Sequence, residues 1–230
     1  MEMSVNLILL LLFSATLLLG KRLGFGWDVL GLKPETLRSM DFLIGFVASA
    51  VAGVLCFGIL IWQTEARVIT NSYSSFQFFT AAWWTLRSVL IEELLFRGVL
   101  LLLIARHLGV HKACIISAVT FGFYHWGSYG VFGDIPRMLE VFVLTGVGGL
   151  MFAYAFLLTR SFYLPVGLHL GWNLVSVVVF SEGPLGMQWL EVAPQQDLGL
   201  FMTVVIFLYQ IIVLPWVTWY YLKQRKGLLW

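Results

Sequence analysis

Charge is what this chain has least of: 11% of its 230 residues are Asp, Glu, Lys or Arg, where soluble globular domains carry about 25%. That excludes a water-soluble globular protein. The net charge of +2 is small, and its basic residues are scattered rather than gathered into a stripe, which excludes a nucleic-acid partner. Two cysteines, Cys56 and Cys114, lie in apolar runs and read as small buried hydrophobes rather than a disulfide framework. His-Glu-x-x-His, the usual zinc-helix signature, is missing. There is no internal repeat, low-complexity tract or soluble domain boundary.

Hydrophobic residues make up 60% of the chain, so the fold class expected is an all-α polytopic membrane helix bundle. Windows near the ~20 residues a membrane helix needs predict seven spans, at residues 4–20, 42–62, 76–105, 113–130, 138–158, 163–180 and 200–222. The first run resembles a signal peptide in length. Met1 to Asn6 lack Lys and Arg, however, and Lys21-Arg22 follow the run, so a retained anchor is expected. The third run would be about 45 Å long at ~1.5 Å per residue, more than the ~30 Å hydrocarbon core, and must tilt, project or break.

Assigning alternate loops to opposite sides places ten Lys and Arg on one side, from Lys21, Arg22, Lys33 and Arg38 through to Lys223, Arg225 and Lys226. The other side holds only Arg67 and Arg137. The positive-inside rule then predicts an outside N-terminus and a cytoplasmic C-terminus, and an eighth full crossing would spoil that bias. The acidic loop 181–199, with Glu182, Glu191 and Asp197, suits the outside. The loop 21–41 reads as an ordered connector; its Pro34-Glu35 helix start with Leu30, Leu32, Leu37 and Met40 would also suit an interfacial helix.

Charged side chains in membrane helices cost about 2.5–3.5 kcal/mol each on insertion scales, so the few present are functional candidates. Glu93 and Arg97 stand at i,i+4 and can pair within their helix. Glu92 points about 100° away and lacks such a partner. Phe121 and His125 share a face in the fourth span, where Gly122 permits close helix approach. In the sixth, His169 and Asn173 share a face, with Gly167 and Gly171 beside them. Glu92 lies fourteen residues from Arg106, His125 thirteen from Lys112 and His169 nine from Arg160, depths of roughly 21, 20 and 14 Å. One buried site opening toward the cytoplasm is therefore expected.

A Glu, two His and an Asn suit peptide hydrolysis by activated water: Glu as general base, His holding the water, His and Asn donating to the oxyanion. Two His and a carboxylate are equally a zinc ligand set, with Glu92, His125 and His169 as ligands; the sequence does not choose. Gly127-Ser128-Tyr129-Gly130 lacks the Gly-x-Ser-x-Gly spacing of a serine loop. Asp134 lacks a second Asp within a membrane span for aspartyl chemistry.

Glu92-Glu93-x-x-x-Arg97, Phe121-x-x-x-His125 and His169-x-x-x-Asn173, in this order and each on its own span, resemble the CPBP family, the CAAX-protease and bacteriocin-processing group also called Abi. The resemblance covers residues 76–180. It divides the chain into two N-terminal helices with their connector (1–75), a CAAX-endopeptidase-like core (76–180), and an outside loop with a last helix and basic tail (181–230). It implies an intramembrane peptidase, a glutamate protease or metalloprotease with a divalent metal such as zinc. Glu92 is then the base, His125 its partner at the water, and His169 and Asn173 the oxyanion donors; Glu93, Arg97 and Phe121 support them. It also implies membrane lipid as surroundings, a peptide or protein substrate that is lipid-modified in the best-known members, and, from the short loops, a bacterial or archaeal plasma membrane. The alternatives are a scaffold or bacteriocin-immunity protein using the same polar cluster to bind a partner, and an ion-coupled transporter, disfavoured without a repeat.

Overall fold

The computed structural model describes residues 2–25, 28, 30–180, 186 and 188–227; Glu182 lies outside them. Eight α-helices run in chain order among the described residues: α1 (Glu2–Arg22), α2 (Thr36–Gln63), α3 (Ser75–Arg97), α4 (Val99–Leu108), α5 (Val110–Ser128), α6 (Ile135–Thr159), α7 (Tyr163–Asn173) and α8 (Leu200–Gly227). The expected all-α membrane bundle is what forms. Four of the helices, α1, α2, α6 and α8, are long and apolar enough to cross a membrane.

The long third run breaks at Gly98. Its backbone turns extended there, and a Cβ at that position would collide with the Leu94 carbonyl of the preceding turn. The resulting α4 has 10 residues, about 15 Å and half a bilayer, so the run does not make two crossings. The break also corrects the depth ruler between Glu92 and Arg106, which assumed one continuous helix.

The described residues of the connector 23–34 form turns and bends and no helix. Its Leu30 sits in the core at 1% exposure against Phe156 and Phe162, and α2 starts directly at Thr36. Asp41, expected just before its span, is inside α2 and fully buried. Arg225 of α8 donates to its two oxygens from Nε and a terminal nitrogen at 2.8 and 2.9 Å, and the Tyr221 hydroxyl donates at 2.7 Å. Arg225 is thus no free charge of a basic tail; it clamps α8 to α2.

Helix α2 in turn packs on α7 through small residues. A Cβ at Gly167 would overlap the Phe42 carbonyl, and one at Gly171 would overlap the Ser49 hydroxyl and the Phe46 carbonyl. Gly45 and Ser49 of α2 complete this seam, Ser49 Oγ donating to the Gly45 carbonyl at 2.8 Å. Backbones meet here because no side chain intervenes. Two short strands, β1 (Arg67–Thr70) and β2 (Leu190–Ala193), pair antiparallel with Arg67 opposite Ala193. They tie the segment before α3 to the segment before α8, an order the sequence did not announce.

Candidate active site

Helix α3 begins with a capping box, in which Ser74 Oγ accepts from Gln77 N and Gln77 Oε1 accepts from Ser74 N. Toward the other end of the same helix comes the Glu92-Glu93 pair. Glu93 is wholly buried and Glu92 keeps 12% side-chain exposure. The two carboxylates face different neighbours, as adjacent residues on a helix must.

Glu93 Oε1 lies 3.4 Å from the Arg97 guanidinium, the expected i,i+4 pair, and 2.8 Å from His169 Nδ1 on α7. The second contact corrects the division of the polar residues into a structural pair and a working group, because Glu93 belongs to both. Arg97 is fully buried as well. It donates to the Gly149 carbonyl of α6 at 3.2 Å and stands over the Phe121 ring at 4.2 Å from its centroid.

Glu92 Oε2 faces two imidazoles, His125 Nε2 at 3.8 Å and His169 Nε2 at 3.7 Å, and has no hydrogen-bond partner of its own among the described residues. The other nitrogen of each ring is taken. His125 Nδ1 is 2.8 Å from the Phe121 carbonyl, which can only accept, so that nitrogen carries the proton. His169 Nδ1 donates to Glu93 in the same sense. Each ring, its Nδ1 so engaged, turns its Nε2 toward the same Glu92 oxygen. Three polar atoms converging without a hydrogen bond among them is a poor dry arrangement. Their separations exceed direct hydrogen-bond length, yet leave a water oxygen room within ~2.8 Å of Glu92 and of either ring.

The rings are fixed by aromatic packing. Phe152 of α6 stacks on His169, centroids 4.7 Å apart and planes 18° apart, while Phe121 meets His125 edge-on at 4.3 Å. Gly149 makes room for Phe121, since a Cβ there would come within 2.9 Å of the ring. Gly149 and Phe152 are the residues sequence reasoning missed. The run Gly148-Gly149 in an otherwise apolar helix was the available signal.

Asn173 closes α7 one turn beyond His169, half-buried, immediately before a π-helical turn at Leu174–Val179. Its amide makes no hydrogen bond to the described residues, so it shares the helix face of His169 without a hydrogen bond to the cluster. Ser88 Oγ, 3.5 Å from Glu92 Oε1, is a further polar neighbour.

Glu92, His125 and His169 were the metal ligands left open above. Ligands ~2.1 Å from a tetrahedral zinc stand about 3.4 Å apart, and both Glu92-to-imidazole separations are wider. Among the described residues, no three His, Cys, Asp or Glu side chains are arranged to hold a metal ion. The serine-loop and aspartyl options also fall away as structure. Ser128 Oγ donates to the His125 carbonyl at 3.3 Å, and Asp134 caps α6 by accepting from Arg137 N at 3.1 Å.

No curated protein and no solved structure gives a match to this chain. Residues 74–175 match the family described as Rce1-like, type II CAAX prenyl endopeptidase Rce1-like. The matched segment begins at the Ser74 cap of α3 and ends two residues past Asn173, so it takes in every residue of the cluster. The likeness to a CAAX-type endopeptidase therefore rests on residues 74–175, the stretch that holds the cluster.

Proposed function

We propose that Glu92 is the general base of a peptidase that cleaves by activated water, with His125 and His169 holding that water. The observation that carries the reading is the Glu92 Oε2 atom, without a partner and 3.8 and 3.7 Å from two imidazole nitrogens. Glu92 takes a proton from the water as its oxygen attacks the peptide carbonyl, forming the tetrahedral oxyanion. Glu93 accepts from His169 Nδ1–H and so keeps Nε2 of that ring aimed at the water, while the Asn173 amide one turn away donates to the oxyanion. Glu92 then passes its proton to the departing amine as the C–N bond breaks. Arg97 supports the arrangement by balancing Glu93 charge in a dry setting. No step is routed through a metal ion, because the spacing suits a water better than an ion.

The substrate is a protein or peptide whose scissile bond lies close to the bilayer, in keeping with a lipid-modified chain end, and it reaches the site from the cytoplasmic half. The charge count supports that side. With Arg225 taken up by Asp41 it stands at ten minus one, nine against two. The test is turnover of membrane-proximal fluorogenic peptides by the protein in vesicles. Glu92→Gln is expected to lower kcat by about 10²–10⁴-fold with the thermal unfolding midpoint unchanged. Wild-type turnover in that variant would remove the proposal, and a partner-binding scaffold using the same cluster would keep its biological effect in it.

A further inference from the structure

On the face of α6 turned away from Gly149 and Phe152 lies a second cavity of about 730 Å³, bounded by the start of α5, the second half of α6 and the stretch of α8 from Pro215 to Lys223. Its polarity is sorted lengthwise. At one end Val147, Leu150 and Pro215 present only hydrocarbon; at the other, His111, Tyr154 and Lys223 come together. His111 Nδ1 is 2.7 Å from the Tyr154 hydroxyl, and the Lys223 ammonium stands 5.4 Å over the Trp219 ring. The polar group between the ends, the Thr218 hydroxyl, is turned inward onto Met151 Sδ at 3.2 Å. The wall therefore stays largely apolar until the His111–Lys223 rim.

A neutral hydrocarbon or a buried helix gains nothing from a basic rim, and a soluble anion gains nothing from the apolar length. One molecule type fits both, with a negative head and an acyl tail. We propose that this groove binds an anionic phospholipid, its head group at Lys223 and His111 and one acyl chain along Leu150 and Pro215. Charge complementarity selects the head group, since basic side chains at a membrane surface attract anionic lipids by ~1 kcal/mol each, about fivefold in affinity. The site is separate from the Glu92 cluster, with α6 between them. The Leu222-Lys223 wall neighbours Tyr221 and Arg225, which clamp α8 to α2, so an occupied groove would reinforce that clamp.

Native mass spectrometry of the detergent-purified full chain, titrated with phosphatidylglycerol, phosphatidylcholine or free glycerol phosphate, tests this without any activity readout. Phosphatidylglycerol is expected to be retained at least fivefold more tightly than phosphatidylcholine, and glycerol phosphate not at all. Lys223→Gln is expected to lose about fivefold toward phosphatidylglycerol only, and Leu150→Trp, which fills the groove, to lose both lipids. His111→Gln reads the same rim should Lys223→Gln fail to fold, as judged by circular dichroism. Equal retention of the two lipids, retention of glycerol phosphate alone, or unchanged selectivity in a folded rim variant overturns the proposal.

Discussion

Helices α1, α2, α6 and α8 are long and nearly unbroken in apolar sequence, whereas α3, α5 and α7 are shorter, more polar, or both, and carry every residue of the Glu92 cluster. The first set fails to supply a single acid or base to the site but supplies its walls: Phe152 and Gly149 from α6, and the seam that holds α7 from α2. The second set violates membrane composition where its polar groups find one another. In a bilayer, a helix that carries Glu92, Glu93 and Arg97 is tolerable only if neighbours take those groups out of lipid. The apolar helices are thus what make the polar ones tolerable, and the candidate site concentrates in the set outside the four long apolar helices.

That contrast breaks most visibly at the contact between α8 and α2. Arg225→Ala leaves Asp41 buried without its cation, and loss of one partner of such a pair costs about 3–5 kcal/mol. Chemical denaturation should show that loss while kcat per folded molecule stays near wild type; a fall in kcat without a fall in stability would mean that α8 acts on the site itself. Next, Glu93→Gln removes the charged acceptor of His169 Nδ1 while keeping its shape. Turnover is expected to drop about 10–100-fold, with KM little changed, and Glu93→Asp should recover part of it if the role is to orient the ring. An unaffected kcat in Glu93→Gln would return Glu93 to a purely structural pair with Arg97. A chelator supplies a sharper distinction: turnover should survive it, and loss that added zinc restores would reassign Glu92, His125 and His169 as ligands. The smallest effect belongs to the outer set. Leu11→Ala on α1, where the side chain is 58% exposed, should shift unfolding by no more than about 0.5 kcal/mol.

Much of this was legible in the chain. Seven apolar runs gave seven helices or broken helices, because length and hydropathy are what the bilayer reads. Gly167 and Gly171 announced a close helix contact, although nothing in the sequence said that α2 would fill it. The third run was too long for one crossing, and Gly98 decided how it yields. Asp41 was less legible: at the edge of an apolar run it looked like a loop residue, and only its pairing with Arg225, 184 positions away, explains its burial. The β1–β2 pairing escaped for the same reason, as two four-residue strands carry little periodic signal.

Glu92 was singled out from its helix alone, since adjacent residues differ by about 100° and only Glu93 can reach Arg97. Composition likewise pointed to the membrane, and three spaced motifs carried the resemblance to a CAAX-type peptidase family. What tertiary structure decided is which nitrogen meets which oxygen. It is the packing of α3 against α7 that gives Glu93 to His169 Nδ1, and the addition of α5 that leaves Glu92 between two Nε2 atoms. Spacing along one helix fixes a direction around its axis, but distances of 3 to 4 Å between helices depend on how glycine seams and aromatic rings let those helices approach.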